Sequence, residues 1–244
     1  MLGTNEVARS RSTAEGFNVH SIFYTLQGEG PLVGTPSIFV RLAGCNLRCF
    51  WCDTAFEGGE EMSADELMLR IRNISIERNC HLVIITGGEP MLQPLRSLID
   101  HPSAQSMRFQ IETAGTVWPD DGLTSRVEPN ERSNRLTIVC SPKTPSIVVQ
   151  LQTPRSYDVY WKYIIRAHEE VSPSDGLPMM STQIQGKKAP LFRPALEYRN
   201  RVFVQACDEL DDPATMVNQG FAAALALKHS YRLSIQTHKL LGLD

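Results

Sequence analysis

Three cysteines close together form the group in this sequence best suited to metal chemistry. Cys45, Cys49 and Cys52 have the spacing Cys-x3-Cys-x2-Cys. Three thiolates from one short loop can bind three irons of an iron–sulfur cluster and leave the fourth iron open to a ligand from outside the protein. A closed zinc site needs a fourth donor, and no histidine near the loop stands at zinc-finger spacing. The spacing therefore favours a cluster, with zinc as the alternative.

The other three cysteines are isolated in the sequence. Cys80, Cys140 and Cys207 have no neighbouring ligand residues, and isolated free cysteines usually pack as small buried hydrophobes. This layout is unlike that of a secreted disulfide scaffold. We therefore expect a cytoplasmic protein.

Two glycine-rich stretches are further candidates for ligand binding. Gly87-Gly88-Glu89 follows an apolar run, so backbone could approach a ligand there and the carboxylate could accept a hydrogen bond from an amine. Residues 27–34 form a polar turn between two apolar segments. Taken alone, each stretch is equally compatible with an ordinary turn.

Apolar segments of strand length alternate with loops and helix signals along the chain. Ser63-Ala-Asp-Glu66 is a capping box that predicts a helix toward Arg78, and Asp212-Pro213 predicts one that runs to about Lys228. This order predicts an α/β fold with a mostly parallel sheet, open or barrel-like. The predicted strands are residues 17–25, 37–42, 82–86, 108–113, 136–140, 159–165, 202–205 and 232–236.

One domain is expected over residues 17–244, preceded by a disordered tail at 1–16. No internal repeat or composition break divides the chain. The stretch 171–190 is rich in Ser, Pro, Gly and Lys, which indicates a surface loop or a flexible insertion. Its sequence gives no function.

Charge and hydropathy exclude two classes of partner. The 24 Lys and Arg residues against 27 Asp and Glu leave a net charge of −3, so no basic field is available to bind a phosphate backbone. No apolar run approaches the roughly 20 residues that span a bilayer. We expect neither direct nucleic-acid binding nor a membrane segment.

Five motifs along the chain can be compared with known families. They are the cysteine loop, Thr86-Gly-Gly-Glu-Pro90, Thr25-Leu-Gln-Gly-Glu-Gly30, Ser141-Pro-Lys143 and Gln236-Thr-His-Lys239. The first two are similar to the cysteine signature and the Gly-Gly-Glu motif of the radical S-adenosylmethionine (SAM) superfamily. All five together resemble the 7-carboxy-7-deazaguanine synthase family of the queuosine pathway, within that superfamily.

The resemblance implies an incomplete (β/α) barrel and a lyase reaction. The cluster would reduce SAM to give a 5′-deoxyadenosyl radical, which takes a hydrogen from C6 of 6-carboxy-5,6,7,8-tetrahydropterin. The ring then contracts and ammonia leaves, giving 7-carboxy-7-deazaguanine. An electron donor such as a flavodoxin or ferredoxin, and a homodimer, are also implied.

The resemblance also assigns site residues. Cys45, Cys49 and Cys52 would bind the [4Fe–4S] cluster, and Thr54 would bind Mg²⁺. The SAM site would comprise Trp51, Gly88, Glu89, Ser141, Pro142, Lys143, Gln205 and Asp208. The pterin site would comprise Leu26, Gln27, Gly28, Glu29, Arg41, Thr86, His238 and Asp244, with Arg41 on the pterin carboxylate.

The chain departs from the family in two places. Family members often read Gln-Pro-x-Asp where this chain has Gln205-Ala-Cys-Asp208, and many end soon after the His-Lys pair, whereas this chain continues to Asp244. Two alternatives remain at this point. A glycyl-radical-enzyme activase shares the cysteine spacing but leaves the Thr-Leu-Gln-Gly-Glu-Gly motif unexplained, and a non-catalytic zinc module would bind a partner.

Overall fold

The computed structural model describes residues 16–123, 135–153 and 157–243. The predicted tail at 1–16 lies outside this part except for Gly16, and so does Asp244. Over the described residues, no helix is both long and apolar enough to cross a membrane.

Nine strands in the described residues form a single sheet. Its order is β3-β1-β2-β4-β5-β6-β7-β8-β9, and every pair from β2 onward is parallel, whereas β1 is antiparallel to β2 and β3. The strands are β1 Gly16–Leu26, β2 Pro36–Leu42, β3 Glu60–Ser63, β4 Leu82–Gly87, β5 Arg108–Thr113, β6 Leu136–Cys140, β7 Asp158–Ile165, β8 Val202–Ala206 and β9 Arg232–Ser234.

The sheet is open in the described part of the chain, because no pairing joins β9 to the β3–β1 edge. This agrees with the predicted incomplete barrel. All eight predicted strands are present, within two residues at each end. Strand β3 was not predicted because its sequence Glu-Glu-Met-Ser is largely charged, as an edge strand can be.

Five helices occur among the described residues: α1 Ala64–Arg78, α2 Leu95–Ile99, α3 Val149–Gln152, α4 Asp212–His229 and α5 Thr237–Leu240. The predicted capping box is confirmed at the start of α1, where the Ser63 side chain accepts from the Glu66 backbone and Glu66 accepts from Ser63. Helix α4 begins as predicted, but its cap is Asp211, not Asp212, because Asp211 accepts from the Ala214 N–H at 3.0 Å.

The core lies on the buried strands. The central strands β4 and β6 bury most of their side chains, as strands covered on both faces do. Cys80, Cys140 and Cys207 are all buried, as predicted. The loop at 171–190 is a hydrogen-bonded surface loop with isolated bridges between Val171 and Pro178 and between Met180 and Lys188.

Candidate active site

The three cysteines line one cavity at the carboxyl ends of the parallel strands. Gly44 leaves β2 with a φ of +85°, a left-handed conformation that favours glycine. Its N–H donates to Phe56 O at 3.0 Å, and its carbonyl accepts from Glu89 N at 2.9 Å. These two bonds connect the start of the cysteine loop to the segment after β4 and to Phe56, which follows the third cysteine.

Burial favours the thiol form of Cys45 and Cys52 when no metal is bound. The pKa of Cys45 is raised to about 12, chiefly by burial and to a smaller extent by the charges of Glu89, Cys49 and Cys52. Burial also raises the pKa of Cys52. A metal that binds these sulfurs would displace their protons.

The cysteines do not converge as a single-ion site requires. Among the described residues, no group of three or more His, Cys, Asp or Glu residues could hold one metal ion. A cluster binds each cysteine at a different iron, so its thiolates stand further apart than the ligands of a zinc ion. Three cavity-facing thiols without a fourth donor therefore fit a cluster better than zinc.

The glycines after β4 bring backbone close to the cysteine loop. A Cβ at Gly88 would lie 2.9 Å from Cβ of Cys45 and closer still to the Gly44 carbonyl. Both Gly87 and Gly88 line the cavity. Only glycine at position 88 allows this approach without displacing the loop.

The Glu89 carboxylate does not line the cavity. It is fully buried and accepts from Thr113 Oγ1 at 2.7 Å, Ala114 N at 2.8 Å and Met91 N at 3.1 Å. Burial raises its pKa. In this conformation the side chain supports the loop after β5 and does not reach a ligand in the cavity.

Another part of the cavity lining is a half-buried lysine beside an indole. Lys143 Nζ donates to Ser141 Oγ at 2.8 Å and lies 4.5 Å from the Trp51 ring centre. Burial lowers the pKa of this lysine. Ser141, Lys143 and Trp51 line the cavity, whereas Pro142 between them does not.

The segment after β8 also reaches the cavity despite its departure from the family pattern. All four residues from Gln205 to Asp208 line it. Gln205 Oε1 accepts from Ser234 Oγ at 2.8 Å, and Asp208 accepts from Lys239 at 2.6 Å. Lys239 also binds Asp53 at 2.8 Å, so it connects the cysteine loop to the carboxyl end of the sheet.

A second, polar pocket adjoins the cavity and shares part of its wall. Thr86, Thr54 and Glu29 line both. Four more predicted pterin residues, Leu26, Gln27, Arg41 and His238, line only the second pocket. Gly28 is not part of the pocket lining, but it packs against the ring of His238, which is.

Arg41 has an unused donor in this pocket. Its Nε is buried and has no hydrogen-bond partner among the described residues, and its guanidinium lies 5.5 Å from the Phe23 ring centre. An unpaired buried donor is costly. Because Arg41 lines this pocket, its guanidinium is placed to bind an anionic group there.

An ion pair between Lys162 and Glu29 lies in the lining of the cavity, and the sequence analysis did not predict Lys162. Lys162 donates to the Glu29 carboxylate, which also accepts from Gln236 Nε2 at 2.8 Å. Burial raises the pKa of Glu29, but the Lys162 charge and the hydrogen bonds from Lys162 and Gln236 together outweigh it, and the pKa falls to about 2. The signal for Lys162 was present as a lone charge in the apolar strand Tyr160-Trp-Lys-Tyr-Ile164.

Glu112, also missed, organises the boundary between the two pockets. Its carboxylate accepts from Gln27 Nε2 at 2.9 Å, Gln110 Nε2 at 3.1 Å and Thr86 Oγ1 at 3.3 Å. It lines both pockets. Its only sequence signal is a carboxylate near the carboxyl end of a predicted strand.

Comparison with known sequences identifies the family of this chain. A match to the Radical SAM superfamily covers residues 39–180. The chain is 43% identical to 7-carboxy-7-deazaguanine synthase from Rhodospirillum rubrum over 99% of both chains. The enzyme of that name from Rickettsia prowazekii is 35% identical over 100% of this chain and 96% of its own. The chain belongs to the 7-carboxy-7-deazaguanine synthase family.

The fold is also that of a solved structure, QueE from Escherichia coli. The TM-score is 0.57 at 21% identity, covering 90% of this chain and 93% of the other. Membership of the synthase family, and of the radical SAM superfamily, implies a [4Fe–4S] cluster and SAM as cofactors and a small-molecule substrate. Membership of the synthase family does not support the two alternatives, a glycyl-radical-enzyme activase and a non-catalytic zinc module.

Proposed function

We propose that this chain converts 6-carboxy-5,6,7,8-tetrahydropterin to 7-carboxy-7-deazaguanine with release of ammonia, in the pathway to queuosine. The observation that carries the proposal is the arrangement of the two pockets. The three-cysteine cavity opens beside a polar pocket that is lined by Arg41, a residue suited to binding a carboxylate. A radical precursor and a carboxylate substrate would therefore lie next to each other.

In this proposal Cys45, Cys49 and Cys52 would bind three irons of the cluster, which would leave the fourth iron open to SAM. When bound, the cluster and SAM supply a 5′-deoxyadenosyl radical. The chain's part is to position the two cofactors and exclude water. The cavity wall that supports a SAM assignment comprises Trp51, Gly88, Ser141, Lys143, Gln205 and Asp208.

The proposal changes for two predicted SAM residues. The Glu89 carboxylate already accepts three protein hydrogen bonds, so we assign it to the support of the loop at 113–115. Pro142 does not line the cavity, so we assign it to holding the backbone of Ser141 and Lys143, which do line it.

The pterin is proposed to occupy the second pocket. Arg41 would bind its carboxylate, and Gln27 and Glu29 would lie beside its ring. Glu112, which already accepts three protein hydrogen bonds, would hold Gln27 and Thr86 in position. Thr54 lies where the two pockets meet. We assign it to Mg²⁺, which is commonly held through few protein oxygens together with the substrate.

Three further parts of the proposal rest on family resemblance. They are a one-electron donor such as a flavodoxin or ferredoxin, assembly as a homodimer, and the use of Thr54 for Mg²⁺. A location in the cytoplasm is proposed from the cysteine layout. A contact between Asp244 and the substrate also stays a prediction, since this residue lies outside the described part of the chain.

The test is anaerobic turnover by the protein reconstituted with iron and sulfide. With SAM, dithionite, Mg²⁺ and the tetrahydropterin, we expect 7-carboxy-7-deazaguanine, 5′-deoxyadenosine and ammonia, each measured separately. The Cys45→Ser variant is the cluster-free control. Formation of 5′-deoxyadenosine without deazaguanine would keep the cofactor assignment and overturn the substrate.

A further inference from the structure

The surface loop at 171–190 makes direct contact with the cysteine loop. Thr182, which is buried, accepts from Phe50 N at 3.1 Å through its carbonyl and donates from Oγ1 to Lys143 O at 3.0 Å. The loop at 171–190, to which the sequence analysis assigned no function, thus connects the cysteine loop to the loop after β6.

The next residue, Gln183, is bonded to the cysteine loop through both ends of its amide. Its Oε1 accepts from Arg48 N at 2.7 Å, which settles the orientation of the amide, because a backbone N–H can only donate. Its Nε2 therefore faces Cys49 Sγ, at 3.0 Å, and Thr182 Oγ1, at 2.7 Å. The two amide protons are directed at these two atoms.

The loop holds Gln183 in this position without help from a cluster. Ser181 Oγ accepts from the N–H groups of both Gln183 and Ile184 at 3.1 Å. Ser181 N in turn donates to Lys187 O at 2.8 Å. These bonds fix the backbone that carries Gln183, and the Arg48 N–H of the cysteine loop orients its amide toward Cys49.

We propose that Gln183 is a positioning residue that donates a hydrogen bond to the Cys49 sulfur of the cluster and thereby raises the cluster's reduction potential. The inference rests on the proposed function, since it needs Cys49 to be a cluster ligand. Donors to cluster sulfurs favour the reduced, more negative state. The other two cysteines have no side-chain donor of this kind in the described residues: Cys45 Sγ accepts from the backbone of Leu47 at 3.4 Å.

The experiment compares three variants of the full chain by redox titration of the reconstituted cluster. Gln183→Leu removes the donor, and Gln183→Glu removes it and adds a negative charge while keeping an acceptor for Arg48 N. Gln185→Leu, at an exposed position in the same loop, is the matched control. We expect wild type and Gln185→Leu to have the same reduction potential. The potential of Gln183→Leu should be lower, and that of Gln183→Glu should be the lowest.

The expected shift for Gln183→Leu is up to about tenfold in the reduction equilibrium, or about 59 mV for one electron. Equal potentials in all four proteins would overturn the inference. If a Gln183 variant assembles no cluster, its apo form is tested by alkylation of Cys49 with iodoacetamide, resolved by mass spectrometry. Because the thiolate is the nucleophile and the amide donor favours it, alkylation slower than in Gln185→Leu would support the contact with Cys49, and an equal or faster rate would overturn it.

These outcomes separate the inference from the proposed function. A wild-type protein that binds no iron–sulfur cluster fails the proposed function first. A wild-type protein with a full cluster and normal turnover, but with potentials unaffected by either Gln183 variant, fails the inference alone.

Discussion

The imidazole of His238 packs directly on the backbone of Gly28. A Cβ at position 28 would lie 2.7 Å from Cγ of the ring and closer still to Nδ1. The Thr237 N–H also donates to Gly28 O at 3.1 Å. Two motifs more than 200 residues apart thus form one wall of the polar pocket, and the absence of a side chain at Gly28 makes this possible.

We expect Gly28→Ala to displace His238 and to lower kcat/KM steeply. A misplacement of about 1 Å can cost on the order of a hundredfold in rate. The measurement is kcat/KM for the pterin together with the thermal midpoint. Gly220→Ala is the control, since that glycine has open space around it, and full activity in Gly28→Ala would contradict the packing argument.

Replacement of Cys45, Cys49 or Cys52 by serine should abolish cluster assembly, because a hydroxyl is a poor substitute for a soft thiolate. Iron and sulfide content and the absorption spectrum are the readouts. Cys207→Ala is a demanding control because Cys207 lines the same cavity, yet we expect it to keep the cluster. Loss of iron in that variant but not in Cys45→Ser would reverse the ligand assignment.

The parts of the site that sequence predicts are those whose residues lie close together in the chain. The cysteine loop and Gly87-Gly88 are such local patterns, as are the strands that carry them. By contrast, Lys162 and Glu29 are 133 residues apart, and Gln183 and Cys49 are 134 apart. Pairs of this kind depend on the order of strands in the sheet, which no local pattern contains.

Local patterns also fail where tertiary bonds decide a side chain's direction. The Gly-Gly-Glu motif suggested a carboxylate directed at a ligand, but Thr113 and the backbone after β5 bind Glu89 in the interior. The charged strand β3 has little strand propensity, and its place comes from pairing with β1. In both cases the deciding partner lies on another element.

Arg41→Lys should weaken pterin binding by roughly ten- to hundredfold, because a hydrogen bond to a charged group contributes about 1.5–3 kcal/mol and lysine lacks the planar fork. SAM binding should change little. Equilibrium binding of each ligand, measured separately, checks this. Normal pterin affinity in Arg41→Lys would remove this residue from the pterin site.

Thr54→Ala should reduce the dependence of turnover on Mg²⁺ and leave the cluster spectrum unchanged. Magnesium requires oxygen ligands in near-octahedral geometry at about 2.0–2.1 Å, and Thr54 Oγ1 lies at the junction of the two pockets, 3.4 Å from Asp53 Oδ1. The measurement is a Mg²⁺ titration of turnover under anaerobic conditions. Identical curves for wild type and variant would place any metal elsewhere.

The Glu29–Lys162 pair should make stability depend on acid pH. The pKa of Glu29 falls from 4.5 to about 2 in the folded chain. Its folded carboxylate therefore resists protonation while the unfolded one takes up a proton, and the stability it contributes is complete above about pH 4.5 and is lost as pH falls toward 2. This contribution is about 3 kcal/mol at most, and chemical denaturation across this range measures it.

Lys162→Met should reverse that dependence. Without its partner the buried carboxylate loses the charge that lowers its pKa, and burial alone raises it. We expect a loss of about 3–5 kcal/mol at neutral pH, partly recovered as acid neutralises Glu29. The double variant with Glu29→Gln should recover most of this loss, since an amide has no charge to bury. If Lys162→Met is as stable as wild type at pH 7, the pair does not stabilise the fold, and the lowered pKa of Glu29 has another cause.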